Sequence, residues 1–201
     1  MALVKQSHLF GIDELWAYPV TDTSSAYTVG TGIRLSGAKQ LSMDFEIEEQ
    51  ELTGDESILR IFTKLKKINF SGEYALLNLD ALAQFLGGSV VASGEGDNRK
   101  QTFSLQEGAI PGYFQLVGIV KDADVEAVAF HIMKCKMTAH AVGAQENQAQ
   151  AISFSGSGIK TEYEFTRVKG GADNTAGLLT DIVFHEKFTE TAAVVSPVAS
   201  T

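Results

Sequence analysis

The most constraining stretch of this chain lies between residues 41 and 48. Leu41, Met43, Phe45 and Ile47 alternate there with Ser42, Asp44, Glu46 and Glu48. A period of two is the signature of a strand with one face on a core and the other in water. It predicts that the four apolar side chains point inward and that Asp44, Glu46 and Glu48 form an acidic row outside. Residues 49–56 (EQELTGDE) then turn polar, with Thr53-Gly54-Asp55 as the turn, and read as a projecting loop. Residues 58–70 return as a second extended segment. Leu65 and Ile68 break its strict alternation, which predicts a bulge or bend there.

The next segment changes period. Leu79, Leu82, Ala83 and Leu86 fall at i, i+3, i+4 and i+7, a helical apolar stripe. Asn78 suits the N-cap, Asp80 the first turn and Gly87 the C-terminal stop. Eight residues cannot hold a helix alone in water, so these four side chains are expected to dock it on a sheet.

Strands dominate elsewhere. Further candidates are 15–20, 26–35, 89–93, 100–106, 113–121, 126–139, 150–155, 159–167 and 178–185. Loops rich in Gly, Asp and Asn separate the later ones, at 94–98, 122–124, 143–147 and 170–174. Both faces of 127–137 are fairly apolar, which predicts a central strand or one covered on both sides. With 19 Gly but only 3 Pro in 201 residues, and abundant Thr, Val and Phe, the composition favours strands and turns. A mainly β chain of this length is expected to be one domain with a full core. Residues 1–14 read as an N-terminal arm, 15–188 as the domain, and 189–201 as a C-terminal arm or tail. No internal repeat is visible.

Several chemistries are disfavoured. The single cysteine, Cys135, allows no internal disulfide and no multi-cysteine zinc site. The four histidines lack metal-ligand spacing. His131 and Cys135 are four apart on a predicted strand with Met133 and Met137, which reads as a packed sheet face. Gly32–Gly37 followed by Lys39 is a near miss to a phosphate loop, and no Ser or Thr follows the lysine. Ser36–Lys39 matches S-x-x-K without its companion elements, so a turn is the better reading. The chain is not expected to be an enzyme, and no cofactor or metal is implied. A net charge of −9 disfavours tight binding to nucleic acid. No apolar run spans a bilayer and the N-terminus lacks a secretory signal. Synthesis in the cytoplasm, without membrane insertion, is the expectation.

One pattern is more specific. Glu51, Leu52, Gly54 and Asp55 follow a strand. Leu79-Asp80-Ala81-Leu82-Ala83 then leads to Gly87-Gly88. Pro111-Gly112-Tyr113-Phe114-Gln115-Leu116, Lys134-Cys135-Lys136 and Ser153-Phe154-Ser155-Gly156 follow in order. This series resembles the tail tube (major tail) proteins of long-tailed bacteriophages over about residues 41–165, and does not extend to the termini. The resemblance implies a β-sandwich or barrel-like fold with one flanking helix, an extended loop and terminal arms. It implies a structural virion protein, made in the host bacterial cytoplasm. Copies would form homohexameric rings that stack into a tube for DNA delivery. Partners would be the chain itself, other tail proteins (tape measure, sheath or terminator) and DNA in transient, non-specific passage. Gln50, Glu51, Leu52, Thr53, Gly54, Asp55 and Glu56 would form the contact between rings. Asp44, Glu46 and Glu48 would be candidates for a lumen face that repels phosphate; alone, they read as a solvated strand face. The competing expectation is a soluble β-sandwich binding or adhesin module, or a secretion-system tube protein of the same fold.

Overall fold

The computed structural model of the chain describes residues 11–54, 57–120, 127–143, 151–166, 174–176 and 180–185, with side chains for 11–50, 61–120, 127–143 and 151–163. The described residues are mainly β. In chain order they form β1 (Glu14–Thr23), β2 (Ala26–Val29), β3 (Ile33–Arg34), β4 (Ala38–Gly54), β5 (Ser57–Tyr74), α1 (Leu79–Leu86), β6 (Ser89–Ser93), β7 (Lys100–Ser104), β8 (Phe114–Val120), β9 (Ala127–Ala141), β10 (Ile152–Ile159), β11 (Glu164–Thr166), β12 (Asn174–Ala176) and β13 (Thr180–His185). The main sheet is antiparallel, in the order β2-β1-β8-β9-β10-β5-β4, with β3 on β1 and β13 on β9. Two small hairpins, β6-β7 and β11-β12, stand apart from it.

The sheet bends round its own core. Leu15 of β1, Leu116 of β8, Ile132 of β9, Phe154 of β10 and Phe70 of β5 share one interior, and Leu41 and Met43 of β4 pack on it. In a flat sheet β4 and β8, four strands apart, would be separated by roughly 19 Å. Instead, a Cβ built on Gly118 of β8 would come within 2.5 Å of Leu41 Cδ2. Only a curled sheet brings these positions together, and only glycine leaves room for the contact. Gly156 has the same task on β10: a Cβ there would lie 2.3 Å from both the Phe70 ring and the Lys136 carbonyl.

β8 and the first half of β9 are buried on both faces. Their second face holds Val117, Ile119, Ala127 and Ala129, with Tyr18, Trp16 and Val29 packed over it. The central position expected for 127–137 is therefore observed. β9 carries register shifts against β8 and β10. The first of these corrects the period expected for 131–137. Cys135 pairs with Phe114, whereas Ile132 pairs with Leu116, so one residue is gained between them. Cys135 thus joins Ile132 and Met137 in the main core. His131 and Met133 contact Gln115 instead.

Helix α1 has its expected bounds. The Asn78 side chain accepts hydrogen bonds from the backbone N–H of Asp80 and Ala81, and Gly87 closes the helix at φ 79°. The buried face is rotated from the predicted stripe. Leu82 is buried as expected, but Ala81 and Phe85 complete the buried set, while Leu79, Ala83 and Leu86 are half-buried. Phe85 decides the rotation, since its ring reaches Phe114 at 4.9 Å between centroids.

Other boundaries differ. The segment 26–35 is split into β2 and β3, because the chain at Gly32 runs against the Tyr18 ring, too close for a side chain. β10 runs to Ile159 and a fresh strand, β11, starts at Glu164, in place of one strand over 159–167. β12 begins at Asn174, inside the expected loop at 170–174. The last residues of the expected arm belong to the body: Ile12 packs on the core and Asp13 N–H donates to the Ile119 carbonyl at 2.9 Å. Residues 1–10 and 189–201 lie outside the described residues.

Replacing Gly156 by Ala should lower the unfolding free energy by about 2 kcal/mol through overpacking. Denaturant titration measures this. An unchanged midpoint would show that Phe70 yields without cost.

Candidate functional site

The long hairpin β4-β5 is the feature that the core does not explain. Met43 pairs with Phe70 and Phe45 with Ile68, so their side chains share the core-facing side of the ribbon. A register shift between Glu46 and Ile47 then gives β5 an extra residue, the bulge expected from Leu65 and Ile68. Ile47 pairs with Leu65 beyond it and keeps the apolar row on one side. The strands stay paired to Gly54 and Ser57, with a second register shift between Leu52 and Thr53. Residues 49–54 are thus strand, not loop. Cross-strand pairing satisfies their backbone, which a polar composition does not prevent. Asp55 and Glu56 lie outside the described residues, as do the side chains of Glu51, Leu52, Thr53 and Gly54.

Burial stops well before the strands do. Ile68 is fully buried, but residues 61–66 are all exposed. Phe45 is 47% exposed, Ile47 58% and Ile61 53%, with Phe62 and Leu65 also open to solvent. The inward position predicted for Phe45 and Ile47 is therefore overturned. Their alternation is real, but the sheet they should cover ends before it reaches them. Residues 45–54, at about 3.3 Å each, extend roughly 30 Å from the body. Among the described residues β4 pairs with β5 alone, so its outer edge has no strand beside it. A long edge with exposed apolar side chains is the arrangement that isolated proteins avoid and that assembling ones use.

The other side of the ribbon carries Asp44, Glu46 and Glu48. They face Asn69, Lys67 and Lys64 across the pair. Lys67 Nζ lies 3.1 Å from Glu46 Oε2. Asn69 Nδ2 donates to the same oxygen at 3.3 Å, and Ser157 Oγ donates to Asn69 Oδ1 at 3.0 Å. These contacts, from Lys67 first and Asn69 next, hold the Glu46 carboxyl below its usual range. The face is a ladder of mixed sign, where the sequence of β4 alone suggests an acidic stripe. Gln50 is exposed and pairs with Phe62 further out.

The remaining candidates resolve into structure. Cys135 is fully buried, its thiol 2.9 Å from the Phe114 carbonyl that accepts from it, and burial pushes its pKa well up. Gly37 sits at φ 73° in the turn between β3 and β4, and Leu35 is in the core, so the stretch from Gly32 to Lys39 forms no phosphate cradle. Among the described residues no group of three His, Cys, Asp or Glu side chains could hold a metal, and no helix is long and apolar enough to cross a membrane. One polar cluster had no sequence signal. Lys134, nearly buried, lies 2.9 Å from Asp22 and 3.0 Å from Glu162. Asp22 also accepts the backbone N–H groups of Glu162 and Tyr163 at 2.7 and 3.0 Å. Burial opposes the ammonium charge, but the hydrogen bonds to Asp22 and Glu162 outweigh it and raise the Lys134 pKa. The cluster ties the chain leaving β10 to β1 and β9. Its partners are about 140 residues apart in sequence, so no local pattern could announce it.

No family model matches the chain, and no curated protein is matched either. Among solved structures, one chain of the cryo-EM structure of the anti-feeding prophage (AFP) baseplate, 6-fold symmetrised, aligns with 94% of this chain and 100% of its own length. The two are 9% identical, with a TM-score of 0.36.

Ile47→Ser and Ile61→Ser should each lower the unfolding free energy by only about 1 kcal/mol, because each side chain is already half in water. The measurement is made at a dilution where the chain is monomeric. A loss of about 2 kcal/mol or more would place them in a core.

Proposed function

We propose that this chain is a structural subunit of a phage tail tube, that its copies form homohexameric rings which stack into a channel for DNA, and that it performs no catalysis. The observation that carries this reading is the projecting hairpin, with its exposed apolar row beside an unpaired edge. The resemblance of residues 41–165 to tail tube proteins supports it. Other tail proteins (tape measure, sheath or terminator) would meet the ends of the tube.

Magnitudes explain why a closed assembly suits such a surface. Covering Phe45, Ile47, Ile61 and Leu65, which share one side of the ribbon, contributes roughly 1 kcal/mol each, since about half of each is already covered. That sum of about 4 kcal/mol is comparable with the rigid-body cost of one association. A single pair of subunits is marginal. In a closed ring each copy makes two contacts, and no edge remains free to recruit other chains. Lys64, Lys66 and Lys67 lie beside Asp44, Glu46 and Glu48 on a chain of net charge −9, so the ribbon gives phosphate no unopposed cationic cluster to grip.

The test is to shorten the hairpin. Replacing residues 50–62 with Asn-Gly joins Glu49 to Thr63, which are paired, through a two-residue turn. The variant should fold with a melting temperature within a few degrees of the parent, yet form no rings or tubes in negative-stain images or sedimentation. Polymerisation equal to the parent would exclude the hairpin. A full-length chain that stays strictly monomeric at high concentration in several salts would exclude the tube.

A further inference from the structure

His140, near the end of β9, stands where β9, β5 and α1 meet, away from the projecting hairpin. It pairs with Phe154 across β10. Its ring lies 6.0 Å from Tyr74 of β5 and 5.8 Å from Phe85 of α1, between centroids. Nε2 is 2.9 Å from the Tyr74 hydroxyl. Nδ1 is buried and has no hydrogen-bond partner among the described residues. Phe85 is the largest buried side chain of α1, and His140 and Phe114 both contact it.

We propose that His140 is an acid-sensitive catch on helix α1, and that protonation of its ring releases the helix from the sheet. The neutral ring carries one N–H. With the proton on either nitrogen, Nε2 forms its bond with the Tyr74 hydroxyl, as acceptor or as donor. The imidazolium must donate from both nitrogens. Tyr74 can serve Nε2 alone, leaving a charged Nδ1–H buried against aromatic surface, where an unpaired donor is costly. The neighbouring elements offer no rescue. β5 presents Tyr74, whose hydroxyl burial holds at about 12, so it stays neutral. α1 presents Phe85 and β10 presents Phe154. Asp80 is exposed on the first turn of the helix, and no ion pair joins His140 among the described residues.

Burial lowers the His140 pKa from its ordinary 6.5, so folding favours the neutral ring. The docked helix has its full stability above about 6.5 and loses it as the pH falls from there toward the lower folded value. Once undocked, eight residues cannot remain helical. The end of the core at Tyr74, Phe114 and Leu35 would then lie open.

NMR on the full chain tests this, with the His140 ring titrated from pH 8 to 5 and amide exchange followed at residues 80–87. The ring should titrate below 6.5. Protection of those amides, corrected for intrinsic exchange, should fall about tenfold for each pH unit separating the two His140 values. His140→Gln can still accept from the Tyr74 hydroxyl but cannot titrate, so its helix protection should not depend on pH. A His140 midpoint at or above 6.5, or constant helix protection in the parent, would overturn the proposal. So would an acid loss that persists in the variant. If the variant does not fold, the parent decides: the ring titration and the loss of protection must share one pH range.

Discussion

One apolar face, continuous across β1, β8, β9, β10 and β5, has to leave water, and a single sheet can hide such a face only by bending over it. The contact of Leu41 with Gly118 is where the bend closes. Glycine at 118, 156 and 158 lets side chains from Leu41, Phe70 and Ile132 lie directly on the backbone opposite. The bulges on β9 serve the same end, because each adds local twist and re-aims the side chains beyond it. Without them Cys135 and Ile132 could not share one interior.

The bend also explains what is left outside. It closes over Leu41 and Met43, and the same two strands then run on past the region it covers. The hairpin beyond Phe45 keeps the alternation of a core strand with no core to serve. Cross-strand pairing and the Glu46–Lys67–Asn69 contacts hold it as a ribbon. A stiff ribbon with one apolar side presents its contacts already arranged, so docking it costs less entropy than ordering a loop would. This is the physical difference between the strand observed at 49–54 and a loop that orders only on assembly.

The fixed points of the interior are polar as well as apolar. Asp22, Lys134 and Glu162 join β1, β9 and the chain after β10. His140 and Tyr74 join β9, β5 and α1. The first cluster satisfies its charges mutually, while the second leaves one ring nitrogen without a partner.

Local sequence determined much of this. Period two at 41–48, period 3.6 with Asn78 and Gly87 as stops, and apolar character on both faces at 127–137 are set by neighbours along the chain. The matching elements formed where those patterns stand. The break in alternation at Leu65 and Ile68 likewise marked a real bulge. Tertiary structure decided the rest. Alternation tells which side of a strand is apolar, but not whether anything lies against it, so Phe45 and Ile47 read as core and stand in water. A helical stripe gives a face to within a residue or so, and the Phe85–Phe114 contact chose the final rotation. The extra residue between Ile132 and Cys135, the ion pair of Glu46 with Lys67 on the facing strand, and the burial of Lys134 all depend on partners brought together by the fold. Such partners leave no periodic trace, because periodicity records a residue's own element and not the one that packs upon it.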